Sequence, residues 1–123
     1  MPTARILDSG DDAAIAEAAA AVRAGGIVAF PTETVYGLGA DACNPLAVAR
    51  VFEVKRRPEF DPIIVHVGDV ESARASGDVS GELAQRLIRR FWPGPLTLVV
   101  AKTSLVPPIV TAGLDTVAVR MPA

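Results

Sequence analysis

Apolar positions recur along this chain at two periods, and the points where the period changes mark its elements. The stretch DSGDDAAIAEAAAAVRAGG reads as a helix with both ends signalled. Asp and Ser at its start supply capping oxygens and charge suited to the helix dipole, and Gly25-Gly26 supplies a left-handed stop after Arg23. Ile15, Ala18, Ala19 and Val22 recur at helical spacing on one face. Ile27 to Phe30 is a short continuous apolar run closed by Pro31, the pattern of a strand buried on both faces. Asn44-Pro45 restarts a helix that runs to about Lys55, with a cap residue followed by proline in the first turn. Pro58 and Pro62 bracket a loop, and Ile63 to Val67 is a second buried strand. A short helix is expected over Val70 to Ala75, and a stronger one, capped by Ser80, has the apolar stripe Leu83, Leu87, Ile88 and Phe91. Pro93-Gly94-Pro95 turns into a strand from Leu96 to Ala101. Pro107-Pro108 argues against regular structure, Ala112-Gly113 turns, and Thr116 to Arg120 is a last strand. Helices alternating with short buried strands predict an α/β domain with a mixed sheet.

Length and composition narrow the function classes. The 123 residues, half of them hydrophobic and 21% charged, suit one globular domain and not a disordered chain. A net charge of −2 excludes a globally basic nucleic-acid binder while leaving room for a local basic patch. The single cysteine, Cys43, excludes an internal disulfide and a cysteine-cluster zinc site; the single histidine, His66, excludes two-histidine metal motifs. No apolar run reaches membrane-spanning length, so a cytoplasmic location is expected.

Three segments carry candidate chemistry. Gly37 to Ala42 matches the degenerate dinucleotide fingerprint G-x-G-x-x-A. The helix signal begins only at Asn44-Pro45, so a glycine-rich strand or turn permitting close backbone approach is the better reading. Lys55-Arg56-Arg57-Pro58 is a cationic cluster at a helix end. It either complements the helix dipole or binds phosphate, for which arginine offers a planar fork and lysine a compact charge. Along Pro31 to Gly37, strand alternation would set Thr32, Thr34 and Tyr36 on one face and Glu33 and Val35 on the other. Such a row of hydroxyls is either a solvated edge or the wall of a small polar ligand site. His66, inside an apolar run, is more often a core residue than a catalyst, and Phe91-Trp92 reads as a core anchor before a turn.

Taken together, GGIVAFPTETVYGLGADA, the K-x-R-P of Lys55 to Pro58, PIIVHV, FWPGPLTLV and TAGLDTVAVRMP resemble the YrdC/TsaC family of threonylcarbamoyl-AMP synthases, in that family's order and across nearly all of the chain from Gly25 onward. The resemblance implies a twisted, mixed open sheet with flanking helices and a concave, positively lined cavity. It also implies a reaction in which L-threonine, bicarbonate or CO2, and ATP give threonylcarbamoyl-AMP and pyrophosphate, for threonylcarbamoyladenosine in transfer RNA. By the same resemblance, Lys55 and Arg57 are the catalytic and ATP-phosphate residues, and Thr116 and the position of Asp61 meet the nucleotide. Thr34, His66, Arg120 and Tyr36 would bind L-threonine, with Arg120 on its carboxylate. Mg2+ would ride on the triphosphate, without protein ligands.

Two departures from the family pattern bear on these expectations. Asp61 stands where the family typically carries Asn or His, which sets a carboxylate near phosphates. The chain also ends at Ala123, before the family's Ser-x-Asn segment. The domain is therefore expected to be incomplete, as a fragment, a truncated reading frame or a degenerate paralogue, and to turn over poorly by itself. The alternative function is a non-catalytic module of the same descent that binds nucleotide or RNA. A third is the related domain of carbamoyl-transfer enzymes in hydrogenase maturation. Transfer RNA or its modification proteins are possible partners, and self-association through an exposed sheet edge is a further expectation.

Overall fold

The computed structural model describes residues 4–58 and 61–123. In chain order its elements are α1 (Asp12–Arg23), β1 (Val28–Pro31), β2 (Tyr36–Gly39), α2 (Pro45–Lys55), β3 (Ile64–His66), α3 (Val70–Ser76), α4 (Glu82–Phe91), β4 (Thr97–Ala101), α5 (Pro108–Thr111) and β5 (Thr116–Arg120). The class is mixed α/β, as the alternating pattern predicts. The strands form two sheets, an antiparallel β1–β2 hairpin and a three-stranded sheet in the order β3-β5-β4. β5 runs parallel to β3 and antiparallel to β4, so its C-terminal end is flanked on both sides: His66 and Thr97 both pair with Arg120.

Alternation across this small sheet sorts the chain into a core face and a site face. Val65, Leu98, Val117 and Val119 are buried on one face, with Val48, Phe52, Ile88 and Trp92 among the residues packed with them. The register puts His66, Arg120 and Thr97 side by side on the other face, with Ile64 and Ala118 one pair behind them. Trp92 is the core anchor expected, its indole N–H donating to the Leu96 carbonyl at 2.9 Å. Its bond to Pro93 is cis.

The helix ends follow their sequence signals closely. Asp11 caps α1 through the Ala13 amide, and Gly25 adopts φ +90° just past its end. Asn44 caps α2 through the amides of Leu46 and Ala47. The end of α2 is more informative. Arg56, a non-glycine residue, takes the left-handed conformation (φ 51°), while the Arg57 amide returns to the Phe52 carbonyl at 2.9 Å. This turn separates the cationic cluster, leaving Lys55 on the last helical turn and Arg57 beyond it.

Several expectations change. β1 is not buried on both faces: its residues alternate between half-buried and exposed, because among the described residues its one partner strand is β2. In β3 only Val65 is buried; β3 is an edge strand, and His66 is exposed and not a core histidine. Residues 32–35 form a turn in place of an alternating strand, organised by the Thr32 hydroxyl. That hydroxyl donates to the Val35 carbonyl at 2.6 Å and accepts from the Thr34 and Val35 amides. Ser80 does not cap α4. Its hydroxyl is held by Asp78 at 2.5 Å, and Gly81 takes the cap position. Pro107-Pro108 opens the one-turn helix α5, since proline in a first turn sacrifices no hydrogen bond. The glycines of the G-x-G-x-x-A match lie in β2, and a Cβ on Gly39 would sit 2.5 Å from Phe30 Cε1. Close approach, not a phosphate turn, accounts for Gly39.

Candidate functional site

Between the hairpin and the β3 edge of the larger sheet lies a groove of about 1050 Å³. α1 lines it with Ile15, Ala18, Ala19 and Val22, the apolar face read from the sequence. Phe30, Tyr36 and Leu38 come from the hairpin, Lys55 and Arg57 from the end of α2, His66 from β3 and Arg120 from β5. The groove is thus apolar along much of its length, with cationic and imidazole groups along one side.

Arg120 is the structural centre of this site. It is only 8% exposed, and a buried guanidinium is tolerated only when its N–H groups are met. Nε donates to the Gly94 carbonyl at 3.1 Å, Nη1 donates to Thr34 Oγ1 at 3.3 Å, and Nη2 pairs with the Glu33 carboxylate. The other Glu33 oxygen accepts from the Ala123 amide. Sequence alternation set Glu33 and Thr34 on opposite faces; the turn at residues 32–35 brings both onto the one guanidinium. The Pro93-Gly94-Pro95 turn also has a part that its sequence concealed. The Gly94 amide donates to the Met121 carbonyl at 2.8 Å, and a Cβ at this position would lie 2.6 Å from the Phe91 carbonyl oxygen. A glycine backbone therefore buttresses the end of β5 and fixes Nε.

His66 stands beside Arg120 by strand register, its ring edge-on to Phe30 with centroids 6.1 Å apart. Its Nδ1 lies 3.4 Å from the Ile64 carbonyl, leaving Nε2 for a ligand. Thr34, His66 and Arg120 are thus brought together, with Tyr36 exposed on the groove wall.

Lys55 and Arg57 form a second, cationic station in the groove. Arg57 donates from Nη2 to the Pro62 carbonyl at 3.0 Å, and its Nε lies 3.8 Å from Asp61 Oδ2. That Nε is buried and makes no hydrogen bond among the described residues. Asp61 therefore faces Arg57, the group that can offset its charge. Thr116 is not among the groove-lining residues. It shares the site face of β5 with Arg120 but lies at the strand's opposite end, about 13 Å away at the usual rise.

Cys43 also lines the groove, but partial desolvation, with the Asp41 carboxylate adding to it, pushes its thiol pKa up. The neutral thiol is a poor nucleophile. Among the described residues no group of three or more His, Cys, Asp or Glu side chains gathers to hold a metal, and no helix is long and apolar enough to cross a membrane.

Residues 20–123 match the Sua5/YciO/YrdC family model, described as "Telomere recombination". Among curated relatives, the threonylcarbamoyl-AMP synthase of Pyrococcus abyssi is 55% identical over 106 residues, covering 86% of this chain and 31% of its own length. That of Bacillus subtilis is 50% identical over 115 residues, covering 93% of this chain and 33% of its own length. The crystal structure of P. abyssi Sua5 complexed with L-threonine aligns with a TM-score of 0.89 at 52% identity, over 92% of this chain and 33% of that one. The chain spans about a third of the length of these relatives. With a match that takes in both sheets and every candidate site residue, this chain belongs to the Sua5/YciO/YrdC family.

Proposed function

We propose that this chain carries the L-threonine site and the triphosphate station of a threonylcarbamoyl-AMP synthase. The observation that carries the reading is the contact of Thr34 with Arg120, which lines the groove beside His66. A fixed guanidinium, a hydroxyl and an imidazole suit the carboxylate and side chain of a small hydroxy amino acid. Relatives named threonylcarbamoyl-AMP synthase, and one crystallised with L-threonine, support it.

The chemistry assigned to the site is one of positioning. The amine of L-threonine adds to CO2 and loses a proton, giving a carbamate. A carbamate oxygen attacks the α-phosphorus of ATP, the bond from that phosphorus to the α,β-bridging oxygen breaks, and pyrophosphate leaves. Arg120 and Thr34 hold the amino acid, His66 faces it, and Tyr36 walls the pocket. Lys55 and Arg57 neutralise the charge that grows on the leaving pyrophosphate, a role that needs no triad. Asp61 faces the same phosphates through Arg57, and Thr116 contacts the nucleotide further along the site face. Mg2+ would ride on the phosphates of ATP, where it would supply additional charge neutralisation. The product is an activated donor for threonylcarbamoyladenosine in transfer RNA.

The test is pyrophosphate release from ATP by the purified chain, with binding of L-threonine and ATP measured separately by calorimetry. Binding of both ligands is the expected result, with pyrophosphate release slow and dependent on both L-threonine and bicarbonate. ATP binding with no L-threonine binding would leave only a nucleotide-binding module.

A further inference from the structure

Glu33 has a position that the reaction as read above does not use. Its carboxylate pairs with Arg120 Nη2 through one oxygen and takes the Ala123 amide with the other. It therefore sits on the one buried guanidinium of the site, the group read above as the anchor for an amino-acid carboxylate. Arg120 has its Nε committed to Gly94 and one Nη1 contact to Thr34, so Nη2 offers the remaining edge for a planar anion. A second carboxylate on that edge would put two like charges within a few ångströms of each other at a site largely closed to water, an arrangement that is strongly disfavoured.

We propose that Glu33 is an internal stand-in for the substrate carboxylate: it occupies Arg120 in the empty site and is displaced when L-threonine binds, and so sets the affinity and selectivity for an α-carboxylate ligand. The inference rests on the reading of Arg120 as the carboxylate anchor. Three features favour exchange over permanent pairing. The Glu33 side chain is 27% exposed against 9% for Arg120, so it can return to water at little cost while the guanidinium cannot. It sits in a turn whose backbone is held by the Thr32 hydroxyl, so its side chain can leave Arg120 without the turn opening. That turn also carries Thr34, whose contact with Arg120 Nη1 stays in place when the Glu33 side chain leaves Nη2. Affinity for the ligand is then reduced by the fraction of molecules in which Glu33 holds Arg120, and specificity follows because only a ligand bearing a carboxylate can replace it.

The experiment compares wild type with Glu33→Gln by calorimetry, using L-threonine and L-threoninol, which lacks the carboxylate. Expected is ~5- to 20-fold tighter L-threonine binding by the variant, with no such gain for L-threoninol. Equal or weaker L-threonine binding by Glu33→Gln, with wild type binding normally, overturns the exchange and leaves the pocket standing. Failure of wild type itself to bind L-threonine overturns the pocket and the exchange together. Should the variant not fold, amide exchange at Ala123 in wild type decides the matter. Release of Glu33 accelerates it on adding L-threonine and not L-threoninol; an unchanged or slower rate overturns the proposal.

Discussion

Arg120 and Thr34, 86 residues apart in sequence, meet at 3.3 Å where the hairpin turn crosses the end of β5. The contact joins the two sheets at the point where ligand would lie. It depends on the guanidinium fork, because Nε and Nη1 serve different acceptors at fixed angles. Arg120→Lys keeps the charge but cannot reach both. L-threonine binding should therefore fall by tenfold or more while ATP binding, which the proposed function assigns to Lys55 and Arg57, stays within about twofold. Calorimetry with each ligand checks it; equal losses for both would mean that the domain, and not the pocket, was damaged.

Arg57→Ala should act in the opposite sense. Its Nε is buried without a hydrogen bond among the described residues, a donor that a phosphate oxygen would satisfy. A charged hydrogen bond contributes about 1.5–3 kcal/mol, and the side chain is 35% exposed, so solvent screening brings the expected loss of ATP affinity to the lower end. Asp61→Asn should strengthen ATP binding several-fold, since it removes a carboxylate 3.8 Å from Arg57 Nε. Unchanged affinity in both variants would return the cluster to a role in complementing the α2 dipole.

How much of this was legible in the sequence depended on the range of the interaction. α2 could be bounded at both ends, because Asn44, Pro45 and the apolar spacing act within a turn or two of one another. The sequence also favours a strand or turn over a phosphate loop at the glycine-rich match, since Pro31 and the late helix start are local facts, and the glycines lie in β2. Glu33 was placed on the wrong face because alternation assumes a strand, and the Thr32 hydroxyl closes a turn instead. The apolar run around His66 favours a core histidine when read alone, because it looks two-sided; that β3 has β5 as its one neighbour among the described residues is a property of the sheet. The part of Gly94 in fixing Arg120 had no sequence signal apart from an unexplained glycine between prolines. The resemblance to the family supplied Thr34, His66 and Arg120 as a set, and the structure supplied the reason that they meet.

Gly39→Ala offers a test of the groove that touches no ligand-binding group. The added Cβ would lie 2.5 Å from Phe30 Cε1, so the ring must shift. Phe30 is edge-on to His66, and moving it removes the lateral support of the imidazole. Expected is a stability loss of about 1–3 kcal/mol, the scale of overpacking, with weaker L-threonine binding and unaltered ATP binding. Thermal unfolding and calorimetry together measure it.

Stability against acid should depend on Asp69 and Asp78. A hydrogen bond from the Ser72 amide, with a further side-chain contribution from Ser72, lowers the pKa of Asp69; the Ser80 hydroxyl, then its amide, lowers that of Asp78. A depressed folded-state pKa means that the stabilisation is complete above the unfolded value, about 3.9, and is lost as pH falls through the folded value. Asp69→Asn keeps an acceptor for the cap of α3 but cannot titrate. The difference in melting temperature between wild type and this variant should therefore shrink between about pH 4 and pH 2. A constant difference over that range would show that the carboxylate charge plays no part.

Selectivity between threonine and valine tests the pocket most directly. The two amino acids have nearly the same shape, and both offer the same carboxylate to Arg120 and the same amine for carbamate formation. They differ in one hydroxyl. The groups that could meet it are Thr34 Oγ1, already aligned by Arg120 and by Thr32 at 3.0 Å, and the free Nε2 of His66. A site arranged to hydrogen-bond a hydroxyl rejects the isostere because its own polar groups are then left without partners. Threonine should therefore bind at least about tenfold more tightly than valine, on the scale of one satisfied hydrogen bond. Thr34→Val should reduce that preference by weakening threonine binding, with valine binding little changed. Competition calorimetry with both amino acids on both forms gives the four affinities needed. Equal binding of threonine and valine by wild type would remove Thr34 and His66 from side-chain recognition and leave Arg120 as an anchor for any small amino acid.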